Sequence, residues 1–253
     1  MLVELDLDGA VVLVTGGVRG VGLGITRAFL AAGAVVVTCA RRPVSVPDAT
    51  FVQCDVRDAE QVSSLVTGIV ERFGRLDVVV NNAGGAPFAL ASGASPRFHS
   101  KIVELNLLAP LLVSQAANAV MQTQSSGGAI VNVSSVSGRR PSPGTAAYGA
   151  AKAGLDNLTS SLAVEWAPLV RVNGLAVGMV RTEQSHLHYG SEAGIEAVAR
   201  TVPLGRLASP DEVGACAVFL ASPLASYVSG ATLVVHGGGE VPAFLAASDG
   251  GSS

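Results

Sequence analysis

No uninterrupted apolar run in this 253-residue chain approaches the roughly 20 residues that a membrane-crossing helix needs, so no membrane partner is expected. Charge is scarce as well. Only 14% of residues are charged, the net charge is −3, and lysine and arginine never cluster into a run, which argues against nucleic acid as a partner. Residues 1–8 lack the basic segment that opens a secretory signal. The three cysteines, Cys39, Cys54 and Cys216, are too few for a disulfide framework and suit a reducing compartment, where they serve as small buried hydrophobes. A metal site is also missing from the pattern. His186 and His188 stand two apart, a spacing that a helix points in different directions, and no further ligands lie at compatible spacing. The expectation is a cytoplasmic globular protein.

What the sequence has in abundance is Ala, Val and Leu in short segments; 49% of residues are apolar. Val-rich runs alternating with longer helical periods predict a parallel sheet buried on both faces. Strands are predicted over 11–14, 35–39, 51–54, 77–80, 129–133, 170–177 and 232–235. Helices are predicted over 23–32, 58–73 and 210–221, with one long helix over 98–122 and another that carries Tyr148 and Lys152 to Trp166. Loops cover 86–96 and the weakly periodic stretch 178–207. Nothing resembles a linker or a repeat, so residues 1–245 form one doubly wound α/β domain, and the small polar stretch 246–253 is expected to fray.

Several constellations carry chemistry. Thr15-Gly-Gly-Val-Arg-Gly-Val-Gly22 follows the first strand and opens a helix. Side-chain-free positions there let a pyrophosphate approach the helix N-terminus, whose amides and dipole favour anions. At the end of the second strand, where an NAD-preferring protein places an acidic residue against the ribose 2′-hydroxyl, this chain has Ala40-Arg41-Arg42. Arg41, together with Arg19 from the glycine turn, matches a 2′-phosphate by charge and by its fork of donors. The missing acid points to NADP(H), with NAD(H) as the alternative. Asp55 and Val56 follow the third strand and are placed to hold the adenine edge through a carboxylate and a backbone amide. Tyr148-Gly-Ala-Ala-Lys152 puts an ammonium one helical turn from a phenol. A nearby cation favours the phenolate, so the Tyr148 pKa is expected to fall toward the range useful for proton transfer.

Thr15-Gly-Gly-Val-Arg-Gly-Val-Gly22, Asn81-Asn-Ala-Gly84, Ser135 and Tyr148-x-x-x-Lys152 occur in the order seen in the short-chain dehydrogenase/reductase family, and the chain resembles that family over nearly its whole length. The resemblance implies a single Rossmann domain with a seven-stranded parallel sheet and helices on both faces. It implies an oxidoreductase interconverting a ketone and a secondary alcohol. In such a protein Tyr148 is the general acid and base, and Lys152 lowers its pKa and binds the nicotinamide ribose. Ser135, thirteen positions before the tyrosine, holds the substrate oxygen. Asn106 matches a fourth catalytic position, where a helix distortion holds a water that relays protons to the lysine. Cofactor contacts are implied for Gly16, Arg19, Gly20, Val21, Gly22, Arg41, Asp55, Val56, Asn82, Ala83, Gly84, Tyr148, Lys152, Val180 and Thr182. A homotetramer is implied too, packed through the long helices and the edge of the seventh strand.

Two positions depart from the family pattern: Val177-Gly178 replaces Pro-Gly, and His236-Gly-Gly238 replaces Asp-Gly-Gly. The first leaves the loop facing the nicotinamide less rigid, because valine does not fix φ. The second is expected to touch subunit packing or the C-terminal turn. Residues 86–96 and 181–203 are the expected specificity elements, and their Ala, Leu, Val, Tyr and His content suggests a partly apolar substrate. A 3-oxoacyl-thioester reductase is a rival reading, with Arg139 and Arg140 meeting the anionic arm of its substrate. A non-catalytic dinucleotide-sensing module on the same fold is a second rival.

Overall fold

In the computed structural model, which describes Leu5 and residues 7–244, seven parallel strands form one sheet. The strands are β1 (Val11–Thr15), β2 (Val35–Ala40), β3 (Thr50–Gln53), β4 (Val78–Asn81), β5 (Gly128–Ser135), β6 (Val170–Val177) and β7 (Thr232–Val235). Their spatial order is β3-β2-β1-β4-β5-β6-β7. Each predicted strand is present: β6 and β7 keep their predicted bounds, and β3 and β4 shift by one residue. Strands β1, β2 and β5 run further, β5 because ladder pairing continues into its polar end at Ser134 and Ser135. The stretch 246–253 lies outside the described residues.

Side chains alternate across a strand, and here both faces are buried. Val11, Leu13, Val37 and Val79 face one core with α2 (Ala59–Phe73), α4 (Ala109–Met121) and α5 (Ala146–Glu165). Val12, Val14, Val36, Val78 and Val80 face a second core with α1 (Gly20–Ala31) and α8 (Pro210–Ala221). Burying Ile25 and Phe29 of α1 completely stabilises by about 1.5–3 kcal/mol each. Helices α1 and α8 meet where neither has a side chain. A Cβ on Gly24 would lie 2.3 Å from the Pro210 carbonyl carbon, and one on Gly214 would lie 2.6 Å from the Gly24 oxygen.

Helix boundaries follow their caps. Asp58 accepts from the amides of Glu60 and Gln61 at the start of α2, and Gly74, left-handed at φ 76°, ends it. Ser209 and Glu212 form a reciprocal capping box before α8. Helix α1 differs: its N-cap Arg19 offers no capping side chain, and its first turn holds no acidic residue. The residue before it therefore leaves its leading amides free for a partner from elsewhere.

The long helix over 98–122 is present and carries a register shift: α3 (Pro96–Val103), a π-helical turn Glu104–Leu108, and α4 follow without a gap. The π turn contains Asn106, where the family resemblance implied a helix distortion. The shift has a local cause. Pro110 has no amide, so the Asn106 carbonyl loses its i+4 donor and the ladder shifts register. The whole stretch Pro96–Met121 is long and apolar enough to cross a membrane, but Ile102, Val113, Ala117 and Met121 are buried in the protein, as in a core helix. The weakly periodic stretch 178–207 holds two short helices, α6 (Ser185–Tyr189) and α7 (Glu192–Ala199). Ile195 of α7 packs with Val202 and Leu207 in a third small core.

Candidate active site

The C-terminal ends of the strands open onto a cleft of ≈ 1140 Å³. Strand order reverses beside β1, between β1 and β4, and ligands of doubly wound sheets bind at such a switch point. Every sequence-predicted site residue lines this cleft except Asn106.

Ser135 ends β5 and caps a short 3₁₀ turn, its Oγ accepting from the Ser137 amide at 3.1 Å. The turn presses onto α5 through two glycines: a Cβ on Gly138 would lie 2.7 Å from the Ala153 nitrogen, and one on Gly149 would lie 2.7 Å from the Ser137 oxygen. That contact brings Ser135 to Tyr148. Lys152 lies one turn on, 3% exposed, its Nζ 5.7 Å from the Tyr148 ring centroid and donating to the Val133 carbonyl at 2.7 Å. Burial pulls the Lys152 ammonium down to about 8, opposed in part by Asp156. Burial also pushes the Tyr148 phenol above its ordinary value, and the nearby Ser135 hydroxyl draws it partway back. The expected fall in the Tyr148 pKa is thus corrected to a rise. Loss of water outweighs a lysine whose ammonium is directed at a backbone carbonyl rather than at the phenol.

Asn106, fully buried, occupies the π turn behind the cleft wall. Its Oδ1 accepts from the Gly85 amide at 2.8 Å, and its Nδ2 donates to the carbonyls of Gly85 (3.0 Å) and Ile102 (2.9 Å). It thereby fixes the turn after β4. A Cβ on Gly84 would lie 2.7 Å from this Oδ1 and 3.5 Å from the Lys152 Nζ, so only glycine fits at that junction.

Asn82 closes the glycine turn. Its Nδ2 donates to the carbonyls of Thr15 (3.0 Å) and Gly16 (3.2 Å), and Gly16 and Gly20 adopt φ of 64° and 51°, a region side chains disfavour. Asn81 instead faces the core, donating to Ser114 and Asn132, each at 2.8 Å. Arg19 and Arg41 are exposed at the adenosine end of the cleft, and no ion pair among the described residues uses either. Asp55 is less available than expected: its carboxylate accepts from Arg57 on both oxygens, and its amide donates to Gln61 at 2.9 Å. Val180 is pinned by a bridge to Ala208, and Thr182 lies beside Gly20. His236 packs against Gly178, where a Cβ would come within 2.7 Å of it, so the two departures from the family pattern meet each other.

The two expected specificity elements differ: 181–203 lines the cleft through Thr182, Glu183, Gln184, His188 and Tyr189, whereas 86–96 barely reaches it. Of residues 86–96 only Ala86 reaches it, and Phe88, Leu90 and Leu187 are exposed elsewhere. Beside Tyr148 the cleft is walled by Ser137, Arg140, Ser142, Gln184, His188 and Tyr189 together with the apolar Val136, Pro143 and Met179. This mixed surface agrees with the expectation of a partly apolar substrate.

The family model described as enoyl-(acyl carrier protein) reductase matches residues 16–240. Galactitol 2-dehydrogenase of Agrobacterium fabrum is 35% identical, over 92% of this chain and 98% of that protein. The 3alpha-hydroxysteroid dehydrogenase of Mediterraneibacter gnavus is 36% identical, over 91% and 97%. The chain belongs to the short-chain dehydrogenase/reductase family. Among solved structures, the aldohexose dehydrogenase of Thermoplasma acidophilum superposes with a TM-score of 0.88 at 29% identity, over 93% of this chain and 95% of that one. As a short-chain dehydrogenase/reductase the chain is an oxidoreductase acting on CH–OH groups, and the family implies a nicotinamide dinucleotide. The residues fit that group. The first turn of α1 has no side-chain cap. Buried Lys152 makes one hydrogen bond where an ammonium has three protons to donate, which suits a pair of ribose hydroxyls.

Sequence reasoning missed three contributors. Thr15 Oγ1 accepts from the amides of Asn82 and Ala83, both at 3.0 Å, and a hydroxyl at the end of β1 was the available signal. Glu240 pairs with Arg140 at 2.6 Å. Glu183 accepts from the Gly20 amide at 3.1 Å. No local pattern announces either of the last two, since their partners lie 100 and 163 positions away.

Proposed function

We propose that this chain is an NADP(H)-preferring oxidoreductase that interconverts a polar ketone and its secondary alcohol. One observation carries the reading: buried Lys152, held by the Val133 carbonyl, stands beside Tyr148, which meets Ser135 in the cleft. When bound, the dinucleotide donates or accepts the hydride at its nicotinamide ring. Tyr148 gives its phenolic proton to the substrate oxygen during reduction and takes it back during oxidation. Ser135 donates to that same oxygen and stabilises the charge that develops on it. Lys152 holds the ribose hydroxyls with its two remaining protons and keeps positive charge near the phenol. Asn106 and the glycine turn position Gly84 and the dinucleotide.

Arg19 and Arg41, exposed and outside every ion pair among the described residues, support recognition of a 2′-phosphate. The polar groups on the wall beside Tyr148 and the relatives named for galactitol and aldohexose support a hydroxylated substrate. Against the thioester rival, Arg139 already pairs with Asp156 at 3.1 Å and Arg140 with Glu240 at 2.6 Å, exposed pairs that an anionic arm would have to displace. A homotetramer is part of the proposal.

Tyr148→Phe is the direct test. Turnover on a sugar-alcohol and hydroxy-ketone panel should fall by about 10²–10⁴-fold, with NADPH affinity within about twofold of the parent. Retained turnover would sink the mechanism. Tighter binding of NADH than NADPH in a fluorescence titration would refute the roles given to Arg19 and Arg41.

A further inference from the structure

The N-terminus of α1 already receives an anion from the chain itself. Glu183 Oε1 accepts from the amide of Gly20, the first residue of the helix, at 3.1 Å. With no capping side chain at Arg19 and no acidic residue in the first turn, this carboxylate is the group that answers the positive end of the helix. It arrives from the segment after β6. There Thr182 and Ser185 form a closed turn: the Thr182 amide donates to Ser185 Oγ at 2.9 Å, and the Gln184 amide to Thr182 Oγ1 at 3.2 Å. The Thr182 methyl would lie 3.6 Å from a Cβ on Gly20, so the segment lies directly across the glycine turn. Glu183 is exposed, and its carboxylate can swing into water without disturbing the core.

We propose that Glu183 is an intramolecular competitor for the pyrophosphate subsite and thereby limits dinucleotide affinity. A pyrophosphate seated on the glycine turn draws on the same leading amides of α1, and two anions cannot share the Gly20 donor. Binding therefore requires the carboxylate to leave, and its return favours release. The inference rests on the dinucleotide that the family implies, not on the identity of the substrate.

The test measures binding, so its failure is separable from failure of the catalytic reading. Titration calorimetry with NADPH, ADP and adenosine is run on the parent protein, Glu183→Gln and Glu183→Ala. Both variants should bind NADPH and ADP about threefold to tenfold more tightly, the size of a charge effect at a helix terminus. NADPH should also dissociate more slowly, while adenosine, which carries no phosphate, should bind equally to all three proteins. Unchanged or weaker NADPH binding in both variants would overturn the proposal. So would tightening in Glu183→Ala alone, which would assign the effect to bulk rather than charge, or an equal gain for adenosine, which would assign it to the loop as a whole.

Discussion

Lys152 holds its charge against its surroundings. Its ammonium has a pKa of about 8 in the fold against 10.5 for an ordinary lysine, a difference worth about 3 kcal/mol. Below pH 8 the group is charged in both folded and unfolded chains, and the full burial cost falls on the fold. Between 8 and 10.5 the folded chain sheds its proton first, so this cost shrinks as pH rises. Lys152→Met removes the charge and also the bond to Val133. The net stabilisation expected at pH 7 is about 1 kcal/mol, seen as a melting temperature higher by roughly 2–4 °C, with turnover lost. Scanning calorimetry of both proteins from pH 7 to 10.5 checks it: the gap should narrow with pH, and a variant less stable at pH 7 would refute the assignment. At this scale much of the site was legible, because Tyr148 and Lys152 are neighbours by helical spacing and Ser135 ends a strand. The pKa directions were not, since they depend on burial by residues distant in sequence, and Glu183 shows the same limit.

The register shift in the helix between β4 and β5 decides how the wall of the cleft is built. A regular helix would satisfy its own carbonyls; the π turn instead leaves Asn106 to bond Ile102 and both polar groups of Gly85. Asn106→Ala deletes three hydrogen bonds and leaves buried groups unpaired, at a cost of about 2–3 kcal/mol. The urea midpoint should fall accordingly, and dinucleotide affinity should weaken as the Gly84–Gly85 turn loosens. A midpoint unchanged from the parent would show that this turn holds itself. Strands were readable from their valine runs because a doubly covered sheet demands continuous apolar sequence. The apolar period of the helix continues through the π turn and does not reveal it; only the family resemblance implied a distortion at Asn106. Pro110, whose missing amide cannot serve the Asn106 carbonyl, was the available warning.

Across the whole molecule, apolar surface remains where a single chain has no use for it. β7 is the outermost strand, yet Leu233 and Val234 are 38% and 37% exposed on its opposite faces, and exposed Phe219 lies on the neighbouring α8. An apolar edge of this kind is normally paired or covered. Further apolar side chains are exposed on the long helices: Val164 of α5 is 80% exposed, and Leu108, at the end of the π turn, is exposed as well. The proposed homotetramer needs two kinds of two-fold interface, and these exposed side chains are the candidate contacts for them. Val234→Lys should break one kind and Val164→Glu the other, each leaving dimers by light scattering, and the double variant should leave monomers. A monomeric parent protein would refute the tetramer outright. A tetramer that survives both substitutions would show that these side chains face solvent and that the contacts lie on other surfaces.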